Sequence, residues 1–117
     1  MNSNWLDTLR SAGFSNDMES AGNRDADVRA AAAETVIAPL SHLSLIAASG
    51  DDAATFLHNL LSNDVNAIAP DGVRRAGFCT PKGRMLADFL IWRSRDGLVL
   101  QLSADLLPPI LKKLSMY

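Results

Sequence analysis

The residues that could do chemistry cluster in the second half of the chain. Asp88 stands inside an otherwise apolar run, Met85-Leu86-Ala87-Asp88-Phe89-Leu90-Ile91-Trp92. With strand alternation, Met85, Ala87, Phe89 and Ile91 share one face, and Leu86, Asp88, Leu90 and Trp92 share the other. Both faces are apolar, so the carboxylate is expected to be at least partly covered, which is costly unless it is hydrogen-bonded or paired. Two uses are open: a functional carboxylate kept despite that cost, or a structural ion pair with Arg75 on a neighbouring strand. Just upstream, Lys82 and Arg84 flank Gly83. They suit an anionic group through charge-assisted hydrogen bonds, or stand as solvated charges. Cys79 precedes them, beside cations that favour a thiolate, although a lone cysteine is commonly a small core residue. Asn63 and Asp64 follow an apolar helical pattern and suit a helix C-terminal turn with Asn in the left-handed region.

Other chemistries find little support. His42, His58 and Cys79 have no zinc-ligand spacing, and G-x-S-x-G, G-x-G-x-x-G and the phosphate-loop signature are all absent.

The elements that must position these residues can be read from periodicity. Thr35 to Ala48 is strand-like, with Leu43 and Leu45 alternating with Ser44. Ser49-Gly50 breaks the run, and Asp51 is a plausible N-cap for a helix over about 52–61. On that helix Ala53, Phe56, Leu57, Leu60 and Leu61 form an apolar face. Pro70-Asp71-Gly72 signals a turn. A three-stranded antiparallel meander is expected next, over 73–79, 84–92 and 98–102. Its first hairpin is closed by a type I turn with Pro81 second and Gly83 fourth, and its second by Ser94-Arg95-Asp96-Gly97. Pro108 and Pro109 fit a final helix only if it starts near residue 106 or 107, with Ile110, Leu111 and Leu114 towards the sheet. The order strand, helix, three strands, helix implies an α+β fold with an antiparallel sheet.

Residues 1–33 read as a separate, flexible or weakly helical leader. Ser3 or Asn4 caps a short helix, residues 15–27 are polar and linker-like, and the Ala30–Ala33 run has helix propensity without core-forming bulk. Residues 34–117 read as the globular portion.

The 117 residues suffice for one small domain. No run approaches the length of a membrane span, no secretory signal is visible, and one cysteine fits a reducing compartment, with cytoplasm as the default. The net charge of −2 conceals an asymmetry. Residues 1–71 carry ten acids against Arg10, Arg24 and Arg29, whereas residues 72–117 carry eight bases against Asp88, Asp96 and Asp105. A basic half can attract an anion, but without aromatic interleaving or a phosphate-cradling loop no direct nucleic-acid binding is expected.

Two motifs together carry a resemblance. Cys79-Thr80-Pro81-Lys82-Gly83-Arg84-Met85, followed by an apolar strand, resembles the C/x-x-P/A-K-G-R/K-M region of the YgfZ-type folate-binding proteins, relatives of the glycine-cleavage aminomethyltransferases. Upstream, Gly50-Asp51-Asp52-Ala53-Ala54-Thr55-Phe56-Leu57 and Leu61-Ser62-Asn63-Asp64-Val65 are similar to the family's G-x-D-A-x-x-F-L-Q-G-Q-L-T-N-D-V. His58, Asn59 and Leu60 replace its Gln-Gly-Gln, and Ser62 its Thr. The resemblance covers about residues 40–114, and the family's K-G-C-Y-x-G-Q-E signature lies beyond it, so the chain reads as an N-terminal piece of a larger, partial aminomethyltransferase-type fold.

The resemblance implies tetrahydrofolate as ligand. Asp88 would bind the pterin N–H groups, Asp64 and Asn63 would line the cavity, and Lys82 and Arg84 would face an anion. It also implies a non-catalytic accessory role in iron–sulfur cluster assembly or repair, with iron–sulfur client proteins as partners and an indirect link to tRNA modification. A true aminomethyltransferase and an inactive fragment are the alternatives, and the Cys79–Met85 stretch favours the YgfZ branch over the transferase.

Overall fold

In a computed structural model of the chain, residues 3–14 and 24–117 are described. The chain divides into two compact units, Met1–Ser41 and His42–Tyr117. The first holds helix α1 (Ser3–Ser11), whose buried residue is Leu9, and helix α2 (Arg24–Ala33), which buries none of its residues. The stretch read as a linker is therefore helical from Arg24 onward, as the alanine-rich continuation favours; its earlier part, 15–23, lies outside the described residues.

The second unit is a four-stranded antiparallel sheet with helices on one face, the expected α+β class. Its elements are β1 (Leu43–Ser49), α3 (Ala53–Leu60), a 3₁₀ turn (Val65–Ala67), β2 (Val73–Cys79), β3 (Met85–Arg93), β4 (Gly97–Ser103), a second 3₁₀ turn (Ala104–Leu106) and α4 (Leu107–Leu114). The spatial order is β1-β4-β3-β2. The meander β2-β3-β4 is joined by two hairpins, and β1 pairs with its last strand, a Greek-key arrangement. The connection from β1 to β2 must cross from one sheet edge to the other, and α3 and the first 3₁₀ turn make that crossing.

Alternation decides what is buried. Ile46 of β1, Leu98, Leu100 and Leu102 of β4, Ala87, Phe89 and Ile91 of β3, and Ala76 and Phe78 of β2 line the covered face. Leu57, Leu61, Val65 and Ile68 from the crossing connection and Ile110 and Leu114 from α4 close over them. Each fully buried side chain of this size contributes about 1.5–3 kcal/mol relative to exposure.

Three local expectations are corrected. The first strand starts at Leu43, not near Thr35, because a ladder partner exists only from Ser103 back to Gly97 and Pro39 lacks a donor. Asp52 rather than Asp51 is the N-cap of α3, and its side chain makes no capping bond. On α4, Ile110 and Leu114 share one stripe at i, i+4, whereas Leu111, one position round the helix, is 46% exposed. The late start of α4 holds: Pro108 and Pro109 fall in its first turn, where their missing N–H groups would have no intrahelical acceptor.

Two contacts lock the sheet to its surroundings. A methyl group at Gly97 would lie 1.9 Å from the Ala48 carbonyl oxygen, so β1 and β4 meet at a position only glycine can fill. Arg93 donates from Nε to the Ile68 carbonyl at 2.6 Å and from Nη2 to the Asn66 carbonyl at 3.2 Å, tying the 3₁₀ segment to β3.

Gly97→Ala is expected to lower unfolding free energy by about 3 kcal/mol in urea titration, since backbone must move. Gly72→Ala, whose added methyl meets nothing nearer than 3.4 Å, should stay within about 0.5 kcal/mol. Arg93→Met should cost about 1–2 kcal/mol through two lost charge-assisted bonds, and should raise amide exchange at Ile68 and Ala67, whose N–H groups bond to Val65 and Asp64 within the released segment.

Candidate functional site

The β2–β3 hairpin forms as its turn chemistry dictates. The Gly83 N–H bonds to the Thr80 carbonyl at 2.8 Å across Pro81 and Lys82, and Gly83 takes φ +84°. The Thr80 N–H bonds to the Arg84 carbonyl at 2.8 Å, and the Arg84 N–H to Thr80 Oγ1 at 3.1 Å. Just inside, the register shifts: Phe78 pairs with Ala87 and Cys79 with Met85, leaving Leu86 as the extra residue. Lys82 and Arg84 are exposed at this tip, and neither has an ionic partner among the described residues. Cys79 is a free, half-buried thiol.

Asp88 lies on the open face of the sheet, between the buried Ala87 and Phe89. It is exposed, which corrects the expectation of a covered carboxylate. Helices α3 and α4 cover the opposite face, so apolar neighbours in sequence do not bury it. No ion pair with Arg75 forms. Arg75 pairs in register with Leu90, whereas the residue facing Asp88 is Gly77. A methyl group at Gly77 would come within 2.9 Å of Met85 Cε and 3.3 Å of Ser62 Oγ, so these two side chains already occupy the space over the glycine.

Asn63 and Asp64 hold the segment after α3 in place. The helix ends where Leu61 turns extended (φ −103°, ψ 162°) and bridges to Phe78, so its C-terminus is not at Asn63-Asp64. Asn63 Nδ2 donates to the Arg75 carbonyl at 2.8 Å, Asn63 Oδ1 accepts from the Asp64 N–H at 2.8 Å, and Arg74 Nη1 lies 3.4 Å from that oxygen. Asp64 caps the 3₁₀ turn, its Oδ1 accepting from the Ala67 N–H at 3.2 Å. The same oxygen is 3.3 Å from His58 Nδ1, close enough for an ion pair when the imidazole is protonated but misaligned for a hydrogen bond.

Sequence reasoning missed Ser62. Its N–H bonds to the Gly77 carbonyl at 2.9 Å and its Oγ accepts from the Gly77 N–H at 2.7 Å. Ser62, Gly77 and Asp88 thus stand side by side across three adjacent stretches of backbone, with Asn63 one step along at Arg75. Asn63 and Asp88 therefore lie on opposite sides of β2, Asn63 at the Arg75 carbonyl and Asp88 opposite Gly77. Lys82 and Arg84 stand apart at the hairpin tip. No local signal marks Ser62, since a hydroxyl pairing with a strand 15 residues away has no periodic signature.

Around Asp88 the open face carries Leu90, Trp92, Val99 and Gln101, all half-buried, with Met85, Leu45 and Val73 more than half exposed and the exposed Arg75 opposite Leu90. An exposed carboxylate beside apolar and aromatic surface can accept hydrogen bonds from a flat, N–H-bearing ring laid on that face. Among the described residues no group of three or more His, Cys, Asp or Glu side chains is placed to hold a metal ion, and no helix is long and apolar enough to cross a membrane.

No family model matches the chain. It is 43% identical over 56 residues to an iron–sulfur cluster assembly factor IBA57 homolog, mitochondrial, from Phaeosphaeria nodorum, a stretch covering 48% of this chain and 13% of that protein. It is 33% identical over 57 residues to the aminomethyltransferase of Bacillus subtilis, covering 49% of this chain and 16% of the relative. A second IBA57 homolog, from Mycosarcoma maydis, is 38% identical over 71 residues, covering 52% and 18%. The chain thus matches less than a fifth of the length of these relatives. Over about half its own length it resembles both iron–sulfur assembly factors and aminomethyltransferases, which supports kinship with the aminomethyltransferase-like superfamily and fits the antiparallel α+β sheet as part of its folate-binding fold.

Proposed function

We propose that this chain contributes part of a folate site in an accessory protein for iron–sulfur cluster assembly or repair. The observation that carries the reading is Asp88, an exposed carboxylate without an ionic partner, set in the apolar open face of the sheet. The likeness to IBA57 homologs and to aminomethyltransferases supports it from an independent direction. On this reading the pterin of tetrahydrofolate lies over Leu90 and Trp92 with its N–H groups donating to Asp88. Asn63 and Asp64 keep the adjacent edge in shape, so their contribution is to hold the wall of the site. Lys82 and Arg84 offer charge to an anionic tail or to an acidic surface of a client protein.

The role is binding and maturation rather than turnover, of the YgfZ type, placed in the cytoplasm and reaching tRNA modification only through cluster-dependent enzymes. The aminomethyltransferase matches favour a second reading, transfer of a one-carbon unit to tetrahydrofolate, in which the same carboxylate would orient the amine-bearing ring.

Titration of the 117-residue chain with tetrahydrofolate, followed by tryptophan fluorescence in a Trp5→Phe background that leaves Trp92 as the sole reporter, is expected to show saturable quenching. Asp88→Ala should weaken binding about 10-fold or more, the loss of one charge-assisted contact, with an unchanged circular dichroism spectrum. Equal affinity in the two proteins would remove Asp88 from the site, and no binding to either would remove the folate reading for this chain. One-carbon transfer activity in a glycine-cleavage assay would favour the transferase reading instead.

A further inference from the structure

The two edges of the sheet are treated differently. The hydrogen-bonding register can be followed across it from three bonds outside the strands proper. The Ala104 N–H bonds to the His42 carbonyl and the Gly50 N–H to the Asp96 carbonyl, so the even-numbered residues of β1 face β4. The Ser94 N–H bonds to the Gly97 carbonyl, so the odd-numbered residues of β4 face β3. On β2 this leaves the odd-numbered residues pointing off the sheet, and there the segment after α3 meets them: Ser62 takes both polar groups of Gly77, and Asn63 takes the carbonyl of Arg75. That edge is covered at Gly77 and Arg75.

The β1 edge has no counterpart. The N–H and C=O groups of Leu43, Leu45, Ala47 and Ser49 point outward, and no described group bonds to them. The strand has no charge, proline or bulge, the devices that ordinarily keep an edge from pairing. Its outward residues are also graded in size. Leu43 and Leu45 stand in the first half, and Ala47 and Ser49 in the second.

We propose that β1 pairs with β1 of a second copy of this chain, antiparallel about a two-fold axis through Ile46, to form one continuous sheet. In that register Leu43 meets Ser49 of the second copy and Leu45 meets Ala47, so each large side chain lies beside a small one. All the outward N–H and C=O groups of both strands are then bonded, and Ile46 faces its own equivalent on the covered side. An isologous contact of this kind is closed and cannot propagate. A parallel pairing in register would instead set leucine against leucine and leave the interface without the two-fold match. The contact is one strand wide, so the association is weak.

Sedimentation of the chain from about 5 µM to about 1 mM spans the affinities expected of an interface this small. The mass should double across that range. Leu45→Lys places like charges along the seam, and Ala47→Pro removes an N–H that bonds to nothing in the monomer. Both should remain monomeric throughout with unchanged circular dichroism. In the wild type, amide exchange followed by NMR should slow with concentration at Leu43, Leu45, Ala47 and Ser49 and stay constant at Ser44, Ile46 and Ala48. Monomeric wild type at 1 mM, dimers that persist in both variants, or new protection confined to another strand would each overturn the proposal. If either substitution unfolds the chain, the alternating exchange pattern of the wild type decides alone.

Discussion

The covered face of the sheet makes one demand that shapes the rest of the second unit: Phe89, Ile91, Leu98 and Leu100 must be closed over by chain that also travels from β1 at one edge to β2 at the other. Residues 50–72 meet both requirements. Leu57, Leu61, Val65 and Ile68 fill the core during the crossing, and the arrival at β2 places Ser62 and Asn63 against its outer edge. Arg93 then fixes the far end of the crossing to β3 through two carbonyls. A connection that only spanned the distance would leave the outer edge of β2 without partners; one that only filled the core would leave its own carbonyls without donors.

The same crossing explains why the other face stays open. With α3 and α4 both on one side, the opposite side keeps Leu90, Trp92 and Val99 half-buried and exposes Leu45, Val73 and Met85. Antiparallel sheets commonly turn one face to water, but that face is then usually polar. Here it is largely apolar, with Asp88, Arg75 and Gln101 as its polar groups around Leu90, a composition suited to a ligand or to further protein. Of the basic residues, Lys82, Arg84 and Arg95 stand at hairpin ends and Lys112 and Lys113 on α4, whereas Arg75 shares the open face with Asp88, opposite Leu90, without pairing to it.

Asp64 shows how one residue can serve a motif and a fold together. Its carboxylate caps a 3₁₀ turn, accepts from Ala67 and faces His58. Asn63 ties Arg74 and Arg75 to the same loop. The spacing that makes this pair recognisable therefore has a local structural purpose, and any part it takes in ligand binding is built on that.

Short-range physics was enough to read most elements. The β2 boundaries, the Thr80–Gly83 turn, the late start of α4 after two prolines and the buried stripe of α3 all follow from turn chemistry, missing donors and periodicity, which act within a few residues. What the sequence could not decide was which face of the sheet the helices would cover. Asp88 has apolar neighbours on both sides in the chain, and only the placement of α3 and α4 leaves it exposed. Nor could it show that Ser62 would close one edge while β1 stayed open, or that Gly97 would sit against the Ala48 carbonyl. Those outcomes depend on contacts between residues 15 to 49 positions apart, where the deciding interaction is steric fit and hydrogen-bond register across strands rather than any preference of the residues themselves.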